Sequence, residues 1–130
     1  MKKILLGLVF FGTLLFAELH NVWITPEFLH KNIKIVDIRT PSEWKKTGII
    51  QGSYTIMFYD ERGNFDVESF LKQLDKIVKK DESFALMCRV GSRTGVVSEF
   101  LSNKFGYKVI NLKGGIMKII KEGYKTVPYK

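Results

Sequence analysis

Apolar positions along the chain fall into two rhythms. Short, nearly continuous apolar runs occur at residues 33–38, 54–57, 84–87 and 107–111, each bounded by turn-forming residues. Runs of that length, rich in β-branched and aromatic side chains, predict strands buried on both faces. Between them the period lengthens. Phe70, Leu71, Leu74, Ile77 and Val78 fall on one side of a helix predicted over 67–79, with Lys72, Lys76, Lys79 and Lys80 toward the other. Val96, Val97, Phe100 and Leu101 are expected to line the core face of a helix over 94–104 that Gly106 ends, and 116–121 form a last short helix. Thr25-Pro26-Glu27 and Thr40-Pro41-Ser42-Glu43 each read as a helix start: a capping hydroxyl, proline at the first helical position, then an acid in the first turn. The first predicts a helix over 26–31, and Gly48 ends the second. Residues 18–24 read as a lead-in. Strands alternating with helices predict an α/β domain, a parallel central sheet with helices on both faces. Ligands of such sheets bind outside the carboxyl ends of the strands.

The first seventeen residues belong to a different pattern. Lys2 and Lys3 precede an apolar run from Ile4 to Phe16, and Ala17 stands before a cut expected ahead of Glu18. The run is short for a membrane-spanning helix, which needs about 20 residues, and has the length of a signal-peptide core. The expected organisation is a signal peptide over 1–17 and one domain over 18–130, exported and periplasmic. The alternative is an anchor retained at 1–17; no stable membrane insertion is expected once the segment is removed.

Removing 1–17 takes away two lysines and no acid, so the formal charge falls from +8 to +6. A basic surface steers anionic partners. The lysines are scattered, without the dense tract or motif of a nucleic-acid binder, so no nucleic acid is expected as partner. One cysteine excludes an internal disulfide, and one cysteine with two histidines makes a protein-only zinc site a poor fit. No metal or cofactor is expected. A single free thiol in an oxidising compartment is a liability unless it is used or buried.

That thiol, Cys88, closes the 84–87 run and opens Cys88-Arg89-Val90-Gly91-Ser92-Arg93-Thr94, just before a predicted helix. The first N–H groups of a helix lack partners and attract anions. Such a position lowers a thiol pKa into a range of about 3.5–7.5. Gly91 lets the backbone turn its N–H groups inward. Arg89 and Arg93 add positive charge, and Ser92 and Thr94 add hydroxyls. No histidine lies near enough in sequence to act as base, which suits sulfur or phosphoryl transfer to a ready thiolate. Four residues separate Cys88 from Arg93. Cysteine phosphatases place one more there, and a tighter loop suits a smaller group such as one sulfur atom. Taken alone, a cysteine at a strand end is also compatible with an inert buried thiol.

The loop resembles the active-site loop of rhodanese-like sulfurtransferases, C-R-x-G-x-R-[ST]. Asp37-Ile38-Arg39-Thr40-Pro41-Ser42-Glu43-Trp44 resembles that family's D-x-R-x-x-x-E-[WYF] element, Gly48-Ile49-Ile50-Gln51-Gly52-Ser53 its G-H-I-x-G-[AS] element, and Asn111-Leu112-Lys113-Gly114-Gly115 its L-x-G-G loop. These elements follow the family's order over residues 25–122. The resemblance implies a sulfurtransferase in which Cys88 accepts a sulfane sulfur as a persulfide. The backbone of Arg89, Val90, Gly91, Ser92 and Arg93 would cradle that sulfur, with Arg89 and Arg93 orienting an anionic donor such as thiosulfate. Asp37, Arg39 and Glu43 would form a structural charged cluster beside the loop, and Trp44 would belong to the core. The implied partners are a small anionic sulfur donor, a thiol or cyanide acceptor, and a protein sulfur acceptor. The same resemblance fits a non-enzymatic persulfide carrier or interaction module. Ile49 stands where the family's histidine is usual, Thr47 is an extra residue before Gly48, and 116–120 lack the tryptophan many members carry, which implies a different pocket wall.

Overall fold

The computed structural model describes residues 17–130; apart from Ala17, the segment expected to direct export lies outside the described residues. The strands are β1 (Glu18–Trp23), β2 (Ile35–Asp37), β3 (Tyr54–Thr55), β4 (Ser83–Met87) and β5 (Lys108–Lys113). The helices are α1 (Pro26–Leu29), α2 (Pro41–Thr47), α3 (Val67–Leu74), α4 (Ser92–Phe105) and α5 (Gly115–Lys121). The sheet runs β1-β5-β4-β2-β3, and every neighbouring pair is parallel.

Alternation along β4 assigns the two cores. Phe84, Leu86 and, just beyond the strand, Cys88 pack with Phe70 and Leu74 of α3 and with Val97 and Leu101 of α4. Ala85 and Met87 face the other side, toward Phe28 of α1 and Ile116 and Ile119 of α5. A central parallel strand is covered on both faces, and that is why 84–87 is apolar without alternation. The architecture is the expected α/β sheet with helices on both faces. Ile116 and Ile119 are fully buried in the second core. They pack there with Ala85 and Met87 of β4.

Three elements differ from the sequence reading. The expected lead-in is β1, paired with β5 from Glu18 opposite Lys108 to Trp23 opposite Lys113. It is an edge strand with mostly exposed side chains, so it lacks the apolar run that marks its neighbours. Helix α3 stops at Leu74, short of residue 79. Beyond it the Ile77 N–H turns back to the Leu74 carbonyl at 2.9 Å, and the Lys34 ammonium takes the Ile77 carbonyl at 2.8 Å. The backbone after Leu74 thus tightens into i→i−3 turns, and Lys34 caps the carbonyl that follows them. Helix α4 starts two residues early, at Ser92, which draws the expected loop into the helix.

Both threonine caps form. Thr25 Oγ1 accepts from the Phe28 N–H at 3.1 Å. Thr40 and Glu43 make a reciprocal capping box at the start of α2. The carboxyl ends of β2, β4, β5 and β1 therefore bring Asp37, Cys88, Gly114 and Trp23 to one edge of the sheet.

Leu86 is fully buried in the first core. Leu86→Ala is expected to lower unfolding free energy by about 2–5 kcal/mol in urea titration. Val96, expected on the core face of α4, is instead 62% exposed, and Val96→Ala should stay within about 0.5 kcal/mol.

Candidate active site

Strand β4 ends at Met87, and Cys88 lies wholly buried at the edge where α4 begins. The Gly91 N–H donates to Cys88 Sγ at 3.2 Å. The thiol donates in turn to Thr94 Oγ1 at 3.6 Å, and the Thr94 hydroxyl passes its own hydrogen to the Gly91 carbonyl at 3.2 Å. Those are the sulfur's hydrogen-bond partners among the described residues. Gly91 stands at the N-terminal boundary of α4 with φ +98°, without a side-chain cap. A side chain there would be strained, and its Cβ would come within 3.0 Å of the Gly114 nitrogen.

A second helix end closes the loop from behind. The Ile116 N–H donates to the Cys88 carbonyl at 2.9 Å, and the Met117 N–H to the Arg89 carbonyl at 3.1 Å. The first turn of α5 thereby takes up two carbonyls turned away from the sulfur. This approach needs the Gly-Gly pair. A Cβ on Gly115 would lie 2.4 Å from the Arg89 carbonyl oxygen and 2.7 Å from that of Cys88.

The charged side chains do not form the single cluster expected of Asp37, Arg39 and Glu43. Asp37 and Arg39 are fully buried and paired, with Arg39 Nη2 at 2.8 Å and Nε at 3.2 Å from Asp37 Oδ2. Arg39 also donates to the Gly48 carbonyl at 3.0 Å and to Thr47 Oγ1 at 2.8 Å. The extra residue before Gly48 therefore has a job, as an acceptor for a buried guanidinium. Glu43 turns the other way, because the capping box directs its carboxylate toward the loop. It holds Arg93 through two parallel bonds of 2.8 Å.

That bidentate bond from Arg93 keeps the Glu43 carboxyl down at about 2, against 4.5 for an unperturbed glutamate. The Arg93 guanidinium is raised in turn, first by the bond to Glu43 and further by the negative charge available to Cys88 and Asp37. Arg93 is thus a positioned cation whose field reaches the sulfur. Arg89, Val90 and Ser92 are exposed on the outside of the loop, and Gly91 is half-buried. Trp44 is buried and meets the Tyr129 ring at 5.1 Å between centroids, in the core role expected of it. Ile49 bridges Val127 in an antiparallel pair with bonds of 2.8 and 2.9 Å.

The donors from α5 and the role of Thr47 were not foreseen. The available signal was a glycine pair directly before an apolar helix without any side-chain cap. Chemically, the loop can hold a thiolate or an atom attached to it by backbone N–H and hydroxyl contacts, with a fixed positive charge beside it. Among the described residues no group of three or more His, Cys, Asp or Glu side chains is placed to hold a metal ion. No described helix is long and apolar enough to cross a membrane.

The family model of the Rhodanese-like domain matches residues 25–122. The chain is 27% identical over 109 residues to Protein HIGH ARSENIC CONTENT 1, mitochondrial, of Arabidopsis thaliana, covering 83% of this chain and 64% of that protein. It is 30% identical over 104 residues to the Adenylyltransferase and sulfurtransferase UBA4 of Saccharomyces cerevisiae, 78% of this chain and 23% of that one. The chain therefore spans less than two thirds of the length of these relatives. Among solved structures, the rhodanese-related protein of Thermoplasma volcanium matches with a TM-score of 0.59 at 29% identity, over 82% of this chain and 97% of that one.

Two predictions test this geometry. Gly115→Ala combines a positive φ with a backbone clash, and should cost about 1–3 kcal/mol in urea unfolding. Gly52→Ala, at φ +81° with nothing within 4 Å, should cost only about 1 kcal/mol for the backbone conformation. The second concerns pH. The folded pKa of Glu43 lies below its unfolded value, so its contribution is complete above pH 4.5 and is lost as pH falls toward 2. Glu43→Gln should remove a pH-dependent contribution of about 1 kcal/mol, discounted for partial exposure. Urea unfolding of the two proteins should converge across that acid window and differ most at neutral pH.

Proposed function

The chain belongs to the rhodanese-like domain family, and on that footing we propose that it is a sulfurtransferase moving a sulfane sulfur through a Cys88 persulfide. The observation that carries this reading is the Gly91 N–H aimed at the buried Cys88 Sγ from 3.2 Å, at the start of α4. The thiolate attacks the outer sulfur of a donor such as thiosulfate. The donor S–S bond breaks, its electron pair leaves with sulfite, and a Cys88 S–S bond forms. An acceptor, cyanide or a thiolate, then attacks the outer sulfur of the persulfide, and Cys88 leaves again as thiolate. Neither step needs a general base or an outside oxidant.

In this reading the Gly91 N–H stabilises the sulfur anion, and the Thr94 hydroxyl, donating to the Gly91 carbonyl, fixes the loop around it. Arg89, exposed at the rim, attracts the anionic donor. Arg93, held by Glu43, is a positioning residue that fixes the first turn of α4 and adds its field. The net positive charge, +6 once residues 1–17 with their two lysines are subtracted from +8, favours encounter with anions. The relative named a sulfurtransferase, which is a longer protein, supports sulfur transfer as the chemistry. The apolar run before Ala17 supports export to the periplasm, and the first strand begins just after the expected cut, at Glu18.

The test is cyanide-dependent release of thiocyanate from thiosulfate. Cys88→Ser should reduce it by about a thousandfold or more. Intact mass of the wild type, after donor alone, should rise by one sulfur atom, and that of the variant should not. Failure of several sulfur donors to turn over, with Cys88 unmodified throughout, would refute the proposal. Slow thiosulfate turnover with fast handover to a purified protein partner would mark a carrier instead of an enzyme.

A further inference from the structure

We propose that a cavity beside the loop, between the carboxyl ends of β1 and β5, binds a small carboxylate that also carries an N–H donor. The cavity encloses about 490 Å³ and is walled by Asn21, Trp23, Asn111 and Lys113, with Gly91 and Ser92 above. Cys88 is not among its walls. A volume of this order accepts a molecule the size of an acylated amino acid or a dipeptide.

Strand register builds the floor. Asn21 lies opposite Asn111 and Trp23 opposite Lys113. Side chains two apart on a strand share a face, so these residues form one patch on the α4 side of the sheet. Asn21 and Trp23 precede the span matched by the family model, which begins at residue 25. This wall is therefore supplied by the edge strand that precedes that span.

Each side chain of the patch has a definite demand. Asn111 is 5% exposed. Its Nδ2 donates to Asn21 Oδ1 at 2.9 Å, while its Oδ1 has no hydrogen-bond partner among the described residues. A buried acceptor is costly to leave unpaired, and this one calls for a donor. The Lys113 ammonium sits 4.4 Å from the centroid of the Trp23 ring and calls for an anion. Trp23 is 55% exposed and presents a flat apolar face. Gly95 keeps space above the amide, since even a Cβ there would stop 3.8 Å from Asn111 Nδ2. A carboxylate on Lys113, an amide or amine N–H on Asn111 and an apolar group across Trp23 satisfy all of these together.

The experiment uses the full chain and N-acetyl-leucine as probe, followed by calorimetry and by Trp23 emission. The expected result is saturable binding with Kd below about 1 mM. Acetate, which lacks the N–H, and N-acetyl-leucine methyl ester, which lacks the charge, should bind at least about tenfold more weakly. Lys113→Met and Asn111→Leu should each weaken the probe by about tenfold or more. Trp23→Phe should remove the emission change while calorimetry still detects binding. Lys113 lies at the surface, so its variant keeps the test valid if Asn111→Leu fails to fold. Cys88→Ser should bind the probe as the wild type does, which separates this site from the sulfur chemistry. No saturation by about 20 mM, equal binding of acetate or ester, or unchanged affinity in Lys113→Met would overturn the proposal.

Discussion

A loop that turns N–H groups toward a sulfur must turn carbonyls away from it, and those carbonyls need donors of their own. In this protein the donors are the first N–H groups of α5, from Ile116 and Met117. The rest of the site depends on that contact. It requires the backbone of Gly115 to approach Cys88 and Arg89 more closely than any side chain allows. It also couples strands that are adjacent in the sheet, because β4 supplies the loop and β5 supplies the helix that supports it. A buried backbone group without a partner is expensive, so the two glycines and the first turn of α5 are as much a part of the cradle as the loop.

The buried Asp37–Arg39 pair plays a parallel part on the other flank. Removing two charges from water costs more than their attraction returns unless every remaining donor is used. Here the guanidinium is satisfied by Asp37, Thr47 and the Gly48 carbonyl. Such a set contributes little net stability but tolerates few alternative geometries. It joins the end of β2 to the end of α2, and so sets where α2 projects Glu43. The bidentate grip of Glu43 on Arg93 then fixes the first turn of α4. Position passes from a buried pair, through a capping box, to the rim of the loop.

Legibility in the sequence follows the same physics. Strands buried on both faces announce themselves by composition, so β4 and the position of Cys88 at its end were readable from one apolar run. The threonine-proline helix starts were readable because capping is local. Strand β1 was not, because an edge strand exposed on most of its length has no reason to be apolar, and its pairing with β5 spans about ninety residues of chain. The end of α3 was missed because the chain after Leu74 tightens to i→i−3 bonds without any break in the apolar spacing, and Lys34, distant in sequence, caps the Ile77 carbonyl beyond it. The division of the charged cluster was equally non-local. Nothing within 37–43 says that Glu43 faces Arg93, fifty residues away. Thr47 looked like an insertion until its hydroxyl was found on Arg39.

Full burial of Cys88 bears on which reactions the loop can carry. A thiol with no exposed surface cannot meet a bulky disulfide, because in-line attack needs open space behind the sulfur under attack. A donor that ends in one terminal sulfur needs to insert only that atom. On the proposed reaction, loading adds an atom to Sγ and moves the reactive centre outward, to where an acceptor can reach it. The same geometry would then restrict the first step to slender donors and leave the second open to larger acceptors, including a protein thiol. A solitary cysteine in a basic chain would be shielded from random disulfide exchange by this asymmetry. Burial, compatible by itself with an inert thiol, would in this arrangement let a reactive one persist.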